Sequence, residues 1–253
     1  IVSGRTFIYA MIARTNLFLL LLSSSFLTIL PAAAGDAPLS SSCSNTPIFT
    51  TNGTYDANLR KLTTFLSSHA PPTGFAVYST GRPPYQAYGL ALCRGDVSPA
   101  NCGTCIREAS SEIRNQCPNS EGAVIWYDFC LLKYSEYDFF GQIDNSNKMY
   151  MWNVHVVSDP QKFNAETDKL LRNLAMEASA VPKLYATGQK KLDKKTELYG
   201  LVQCSRDLTG GECKVCLDGI FRDLPTCCNG TEGGRVLAGS CNFRYEIYPF
   251  VGA

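Results

Sequence analysis

The stretch CRGDVSPANCGTCIREASSEIRNQCPNSEGAVIWYDFC, residues 93–130, recurs in outline as CSRDLTGGECKVCLDGIFRDLPTCCNGTEGGRVLAGSC, residues 204–241. Five cysteines repeat at a constant interval of 111 residues: Cys93, Cys102, Cys105, Cys117 and Cys130 match Cys204, Cys213, Cys216, Cys228 and Cys241. The Tyr-Gly-Leu that precedes the first stretch also precedes the second. A repeat interval of this length predicts two copies of a whole domain rather than a solenoid of short units.

The charge of the chain is nearly balanced. Its 253 residues carry 23 Lys and Arg against 22 Asp and Glu, a formal net charge of +1. Such a chain has no broad basic field to attract a phosphate backbone, so we expect no nucleic-acid partner.

The first residues predict a secretory signal peptide. An apolar run over residues 17–22 is followed by Ala32-Ala33-Ala34, which favours cleavage after Ala34. Met11 is the expected initiator, so residues 1–34 comprise an upstream extension and the signal peptide. We expect the mature chain to have no membrane span, to be secreted into the apoplast, and to form two domains, residues 35–145 and 146–253.

Each copy alternates helical and strand patterns. Helices are predicted over 56–68 and 164–176, and two more begin at Ser98-Pro99 and at the capping box Thr209-x-x-Glu212. Runs rich in aromatic and β-branched residues predict strands, the long ones over 130–140, 150–157 and 241–250. The fold class is therefore α+β, with helices packed on antiparallel sheets.

The twelve cysteines are predicted to form structural disulfides. Zinc would need two paired knuckles or histidines at matching spacing, and neither His69 nor His155 lies near a C-x2-C. A secreted chain with an even cysteine count favours disulfides, so neither a metal nor a cofactor is expected. Cys102 and Cys105 lie one helical turn apart and are expected to bond to other elements; spacing leaves the remaining pairing open.

The residues of the chain give little indication of enzymatic activity. With two histidines and no recognisable nucleophile setting, the chain is not expected to be an enzyme. Asp128, Glu136 and Asp138 are interpreted as solvated strand residues rather than as a glycosidase pair.

The cysteine spacing C-x8-C-x2-C with its flanking cysteines resembles the ginkbilobin-type antifungal domain of plants. Two such domains behind a signal peptide resemble the cysteine-rich repeat secretory proteins, over about residues 42–250. The resemblance implies a five-stranded antiparallel sheet with two helices in each domain. It also implies the disulfides Cys43–Cys117, Cys93–Cys102, Cys105–Cys130, Cys204–Cys213 and Cys216–Cys241. Cys227 and Cys228 depart from the pattern, and they either bond to each other, remain free or pair elsewhere.

Mannose-binding members of this family suggest a site. Their pattern uses an Asn after the first cysteine, an Arg six residues before the last and a Glu five residues after it. The second copy has Arg235 and Glu246 at the Arg and Glu places. No cysteine marks the Asn place in this copy, and Asn153 lies within about two residues of it. The first copy has Ser44, Val124 and Ser135 instead, and is not expected to bind in this way.

The physical basis of that prediction is a hairpin. If Gly239-Ser240 is a two-residue turn, Arg235 lies opposite Arg244, with Glu246 as its diagonal neighbour. A guanidinium and a carboxylate can together bind adjacent sugar hydroxyls. We therefore predict a non-enzymatic recognition protein of plant defence or stress response that binds a mannose-containing glycan.

The alternative is an interaction module for cell-surface receptor ectodomains that binds no sugar. Exposed positions among Tyr134, Tyr137, Phe139 and Phe140, read as one aromatic strand, would favour this alternative. Asn52 and Asn229 lie in glycosylation sequons and are predicted to carry glycans.

Overall fold

A computed structural model describes residues 37–44 and 48–252, and the predicted signal peptide lies outside these ranges. Each copy forms one five-stranded antiparallel sheet. The predicted α+β architecture is confirmed.

Helices and strands alternate in the same way in the two copies. The strands of the first sheet are β1 (Ser40–Cys43), β2 (Phe75–Thr80), β3 (Ala87–Cys93), β4 (Ala123–Trp126) and β5 (Cys130–Ser135). Those of the second are β6 (Met149–Trp152), β7 (Tyr185–Lys191), β8 (Glu197–Cys204), β9 (Gly233–Leu237) and β10 (Cys241–Glu246). The first sheet has the strand order β1-β4-β5-β3-β2, and the second has the corresponding order β6-β9-β10-β8-β7. The helices are α1 (Thr54–His69), α2 (Pro99–Gln116), α3 (Pro160–Ser179), α4 (Gly210–Phe221) and the one-turn α5 (Leu224–Cys227).

Local capping chemistry fixes the helix starts. The Ser98 hydroxyl accepts from the Asn101 N–H with Pro99 in the first turn, and Thr209 and Glu212 form the predicted capping box. Helix α3 begins before the predicted position because Asp159 caps it.

The three long strands are shorter than predicted, and in two of them a polar side chain turns the backbone. After β5, the Ser135 hydroxyl accepts from the Tyr137 N–H, so the aromatic stretch is not one strand. Tyr134 is buried in the core, whereas Tyr137 is exposed in the turn. After β6, the Asn153 side chain accepts from the His155 N–H and ends the ladder.

The described residues form six disulfides, and five of them join a helix or its end to a sheet. Five have the pairing that the resemblance implies: Cys43–Cys117, Cys93–Cys102, Cys105–Cys130, Cys204–Cys213 and Cys216–Cys241. The sixth joins the neighbours Cys227 and Cys228. The second copy thus replaces the bond to its first strand by a vicinal one.

The two sheets pack on each other through the faces that the helices leave free. An apolar cluster of the first sheet, which includes Val124 and Trp126, also takes in Leu237 of β9. The Trp126 indole N–H donates to the Ala238 carbonyl at 3.2 Å, and the Gln203 amide donates to the Cys93 carbonyl at 2.9 Å. This contact places the first copy beside the β9–β10 hairpin, where the candidate site lies.

Candidate functional site

Three strands of the second sheet bring the predicted site residues together. Arg235 lies in β9 directly opposite Arg244 of β10, which is the predicted register, and Glu246 ends β10. Asn153 follows β6, with its N–H donating to the Gly233 carbonyl at 2.9 Å. All three predicted residues line one pocket of about 270 Å³. We call it the hairpin pocket.

A cross-strand ion pair would require Arg235 to contact Glu246, but the two side chains do not pair. Its Nη2 lies 2.8 Å from Oδ1 of Asp128, which belongs to the first copy. The residue is only 7% exposed, and its Nε has no hydrogen-bond partner among the described residues. Burial lowers the pKa of Arg235, and the Asp128 carboxylate opposes that effect.

Asp128 is the hub of a charge cluster between the copies. Its carboxylate also contacts Arg94 at 2.9 Å and Arg244 at 3.3 Å. Burial alone would raise the pKa of Asp128, but Arg235, followed by Arg244 and Arg94, lowers it below its usual range. The interpretation of Asp128 as a solvated strand residue is wrong, because the β4–β5 turn that carries it packs against β9 and β10.

Glu246 is held by Arg244 and by the shape of the sheet. Arg244 Nε lies 2.9 Å from Glu246 Oε1. The carboxylate lies over Gly233 of the neighbouring strand, where a Cβ would overlap it. Glycine at this position therefore makes room for Glu246 in the pocket.

Asn153 and two aromatic residues complete the wall. The Asn153 side-chain oxygen accepts from the His155 N–H at 2.9 Å, which leaves its amide group as a donor. Trp152 is 58% exposed, and the Tyr248 hydroxyl accepts from Arg244. The hairpin pocket thus combines amide and guanidinium donors, a carboxylate acceptor and an open aromatic ring, which suits a polyhydroxylated ligand.

The corresponding place in the first copy has different chemistry. A pocket of about 440 Å³ is lined by Ser44, Val124 and Ser135, the residues at the three family positions. Lys133 stands in the place of Arg244 and pairs with Asp144 at 2.6 Å. That the first copy does not bind sugar in the family's manner stays a prediction.

Asp128, Arg244, Trp152 and Tyr248 are site residues that the sequence reasoning missed. Only Arg244 carried a signal, since it was predicted to lie opposite Arg235. The glycosylation predictions concern Asn52 and Asn229, both exposed.

Within residues 37–44 and 48–252, no group of three or more His, Cys, Asp or Glu side chains is placed to hold a metal ion. None of the helices in those ranges is long and apolar enough to cross a bilayer.

Comparison with known proteins gives the chain's relatives. The salt stress response/antifungal family model matches residues 42–137 and 152–248. An antimicrobial ginkbilobin-2-like protein of Castanea crenata is 54% identical over 216 residues, 85% of this chain and 90% of that protein. Cysteine-rich repeat secretory protein 38 of Arabidopsis thaliana is 50% identical, over 88% of this chain and 90% of that protein.

Solved structures show the same fold. The tandem DUF26 ectodomain of the Arabidopsis thaliana cysteine-rich receptor-like protein PDLP8 matches with a TM-score of 0.75 at 23% identity, covering 84% of this chain and 98% of that one. The corresponding ectodomain of PDLP5 matches with a TM-score of 0.69 at 24% identity, covering 84% and 100%. The chain is a secreted, cysteine-rich protein that belongs to the salt stress response/antifungal family and carries two copies of its domain.

Proposed function

We propose that the protein is a non-enzymatic recognition protein that binds mannose-type carbohydrate through its second domain, residues 146–253. The observation that carries the proposal is the hairpin pocket, in which Asn153, Arg235 and Glu246 line one wall. Its volume of about 270 Å³ suits one terminal sugar ring. The exposed Trp152 ring offers the flat apolar surface on which a sugar face can stack.

The donors and acceptors have separate tasks. The Asn153 amide and the Arg235 guanidinium donate to sugar oxygens, whereas Glu246 accepts from a sugar hydroxyl. The contact of Arg235 with Asp128 fixes the guanidinium before the ligand arrives, which lowers the entropy lost on binding. Antifungal and stress-response roles agree with the family's description and with the name of the Castanea crenata relative.

Retention on a mannan column tests the proposal. We expect the wild-type protein to be retained and to be eluted by methyl α-mannoside, and Arg235→Ala and Glu246→Gln to pass through. Ser135→Ala, at the corresponding position of the first copy, is the matched control and should be retained. Circular dichroism must show the same fold for all variants. Wild-type protein that ignores mannan would refute the proposal.

A second function, partnering receptor-kinase ectodomains, is supported by the edge strand β6. This strand lies at the edge of the second sheet and exposes Trp152, with Val154 and Val156 exposed after it. An exposed apolar edge is a common protein-binding surface. Val154→Asp should then abolish pull-down of an ectodomain, while excess mannoside leaves that pull-down unchanged.

A further inference from the structure

The first copy closes the gap between its two helices with an ion cluster. Arg114, near the end of α2, lies 2.5 Å from the Asp56 carboxylate of α1. Arg60 contacts the same carboxylate at 2.8 Å. Burial opposes the charge of Asp56, but the two arginines and the Asn52 N–H keep its pKa well below the usual range. One carboxylate thus binds two guanidinium groups, and its side chain is 0% exposed.

The second copy repeats the carboxylate and only one of the guanidinium groups. Asp168 and Arg172 of α3 form the corresponding pair four residues apart, at 2.7 Å. The correspondence follows from packing, because the leucine six residues after each aspartate lies against a glycine of the sheet. These contacts are Leu62 with Gly89 and Leu174 with Gly200.

Pro225 stands where the second arginine would be. It lies three residues before Cys228, as Arg114 lies three residues before Cys117. Proline has no N–H for the carbonyl four residues earlier, and α4 accordingly ends at Phe221 instead of continuing as α2 does. The second copy therefore lacks the arginine that would fill the space beside Asp168, and its helix is interrupted between Phe221 and the one-turn α5.

A cavity of about 330 Å³ occupies that space. Phe221, Leu224 and Pro225 form an apolar wall, and Thr167 and Asp168 also line the cavity. The Asp168 side chain is 42% exposed, unlike that of Asp56. Thr167 is 3% exposed, and its hydroxyl has no hydrogen-bond partner among the described residues.

We infer that this cavity binds an alkyl guanidinium group, in the place that Arg114 fills in the first copy. The cation would pair with Asp168, as Arg114 does with Asp56, and an N–H could donate to the Thr167 hydroxyl. Its alkyl stem would cover the apolar wall, and the Phe221 ring, which already lies 5.7 Å from the Arg172 guanidinium, suits a cation over its face.

Two arginines line the cavity, and Arg172 is already paired with Asp168 at 2.7 Å, so the lining residue that opposes a cation with its full charge is Arg222. Its side chain is exposed at the cavity and has no ion pair or hydrogen bond in the described part of the chain, so it is free to turn into solvent. Removing its charge should strengthen binding of a cation and weaken binding of an anion. Because the two changes in affinity have opposite signs, they distinguish a cationic ligand from an anionic one.

Calorimetric titration of the full secreted protein with n-butylguanidinium tests the inference, with neutral n-butylurea and anionic benzoate as comparison probes. We expect only the guanidinium to bind, Asp168→Asn to weaken it about tenfold or more, and Arg222→Gln to tighten it. Pro225→Arg should abolish binding by supplying the chain's own arginine. Glu177→Gln, an exposed carboxylate further along α3, is the matched control and should change nothing.

A short peptide with one arginine distinguishes the source of the group. Tighter binding of acetyl-Ala-Arg-Ala-amide than of n-butylguanidinium points to an arginine side chain of a partner protein, and the reverse order points to a free small molecule. The inference is overturned if wild-type protein binds neither guanidinium probe. Equal binding by Asp168→Asn and wild type, or equal binding of n-butylurea, overturns it as well. The mannan experiment is independent of these outcomes.

Discussion

Replacing Asp128 by asparagine removes one negative charge from the contact between the two domains. The carboxylate lies 2.8 Å from Arg235, 2.9 Å from Arg94 and 3.3 Å from Arg244. Three guanidinium groups, one of them on the buried Arg235, would then share one carboxylate fewer. Asp128→Asn therefore tests whether the cluster holds Arg235 in the hairpin pocket.

The magnitude follows from burial. Removing one partner of a buried ion pair costs about 3–5 kcal/mol. The Asp128 side chain is 31% exposed and asparagine keeps one acceptor oxygen, so we expect a smaller loss, about 2–3 kcal/mol of unfolding free energy. For a chain of this length that loss corresponds to a fall of roughly 4–12 °C in the melting temperature.

Thermal and urea unfolding followed by circular dichroism provide the measurement. Asp218→Asn is the matched control, because the similarly half-buried Asp218 pairs with Lys214 at 2.6 Å and Arg172 at 3.6 Å, away from the contact between the copies, and should contribute less than about 1 kcal/mol. Asp128→Asn should also weaken mannan retention, since Arg235 loses the contact that orients it. A variant as stable as Asp218→Asn, with unchanged retention, would refute the cluster's role.

Two further predictions concern the scaffold. Burial, followed by a neighbouring carboxyl, raises the pKa of Glu136 to about 7, so its protonated form is favoured by folding. This contribution to stability is complete below about pH 4.5 and is lost as the pH rises to about 7. Glu136→Gln should make the unfolding free energy fall less over this pH range. An unchanged pH profile in the variant would contradict this explanation. Replacing Cys43 and Cys117, which are 74 residues apart, by serine should lower the unfolding free energy by about 4–5 kcal/mol. The disulfide between the adjacent Cys227 and Cys228 closes no long loop, so replacing these two by serine should cost far less in urea unfolding. Equal losses would contradict the chain-entropy explanation.

Local rules predicted much of the fold. Helix starts at Ser98 and Thr209 follow from the chemistry of one turn, and the register of Arg235 opposite Arg244 follows from a two-residue hairpin turn. The site residues on β9 and β10 meet because side chains two residues apart share a face of the sheet.

What the sequence could not predict depends on tertiary contacts. Asp128 contacts Arg244 across 116 residues of chain, and its pairing exists only because the domains pack sheet against sheet. Strand ends were misplaced where a single side chain, such as that of Asn153, takes the backbone out of the ladder. The disulfide between Cys227 and Cys228 depends on the absence of a first cysteine from the second copy. Spacing alone left this pairing undecided.

A glycan array probed with the protein from a secretory host tests whether the hairpin pocket recognises sugar. We predict binding to glycans with terminal mannose, abolished by free methyl α-mannoside and absent in Glu246→Gln. Binding to no glycan, or equal binding by wild type and Glu246→Gln, would contradict the assignment of sugar recognition to the hairpin pocket.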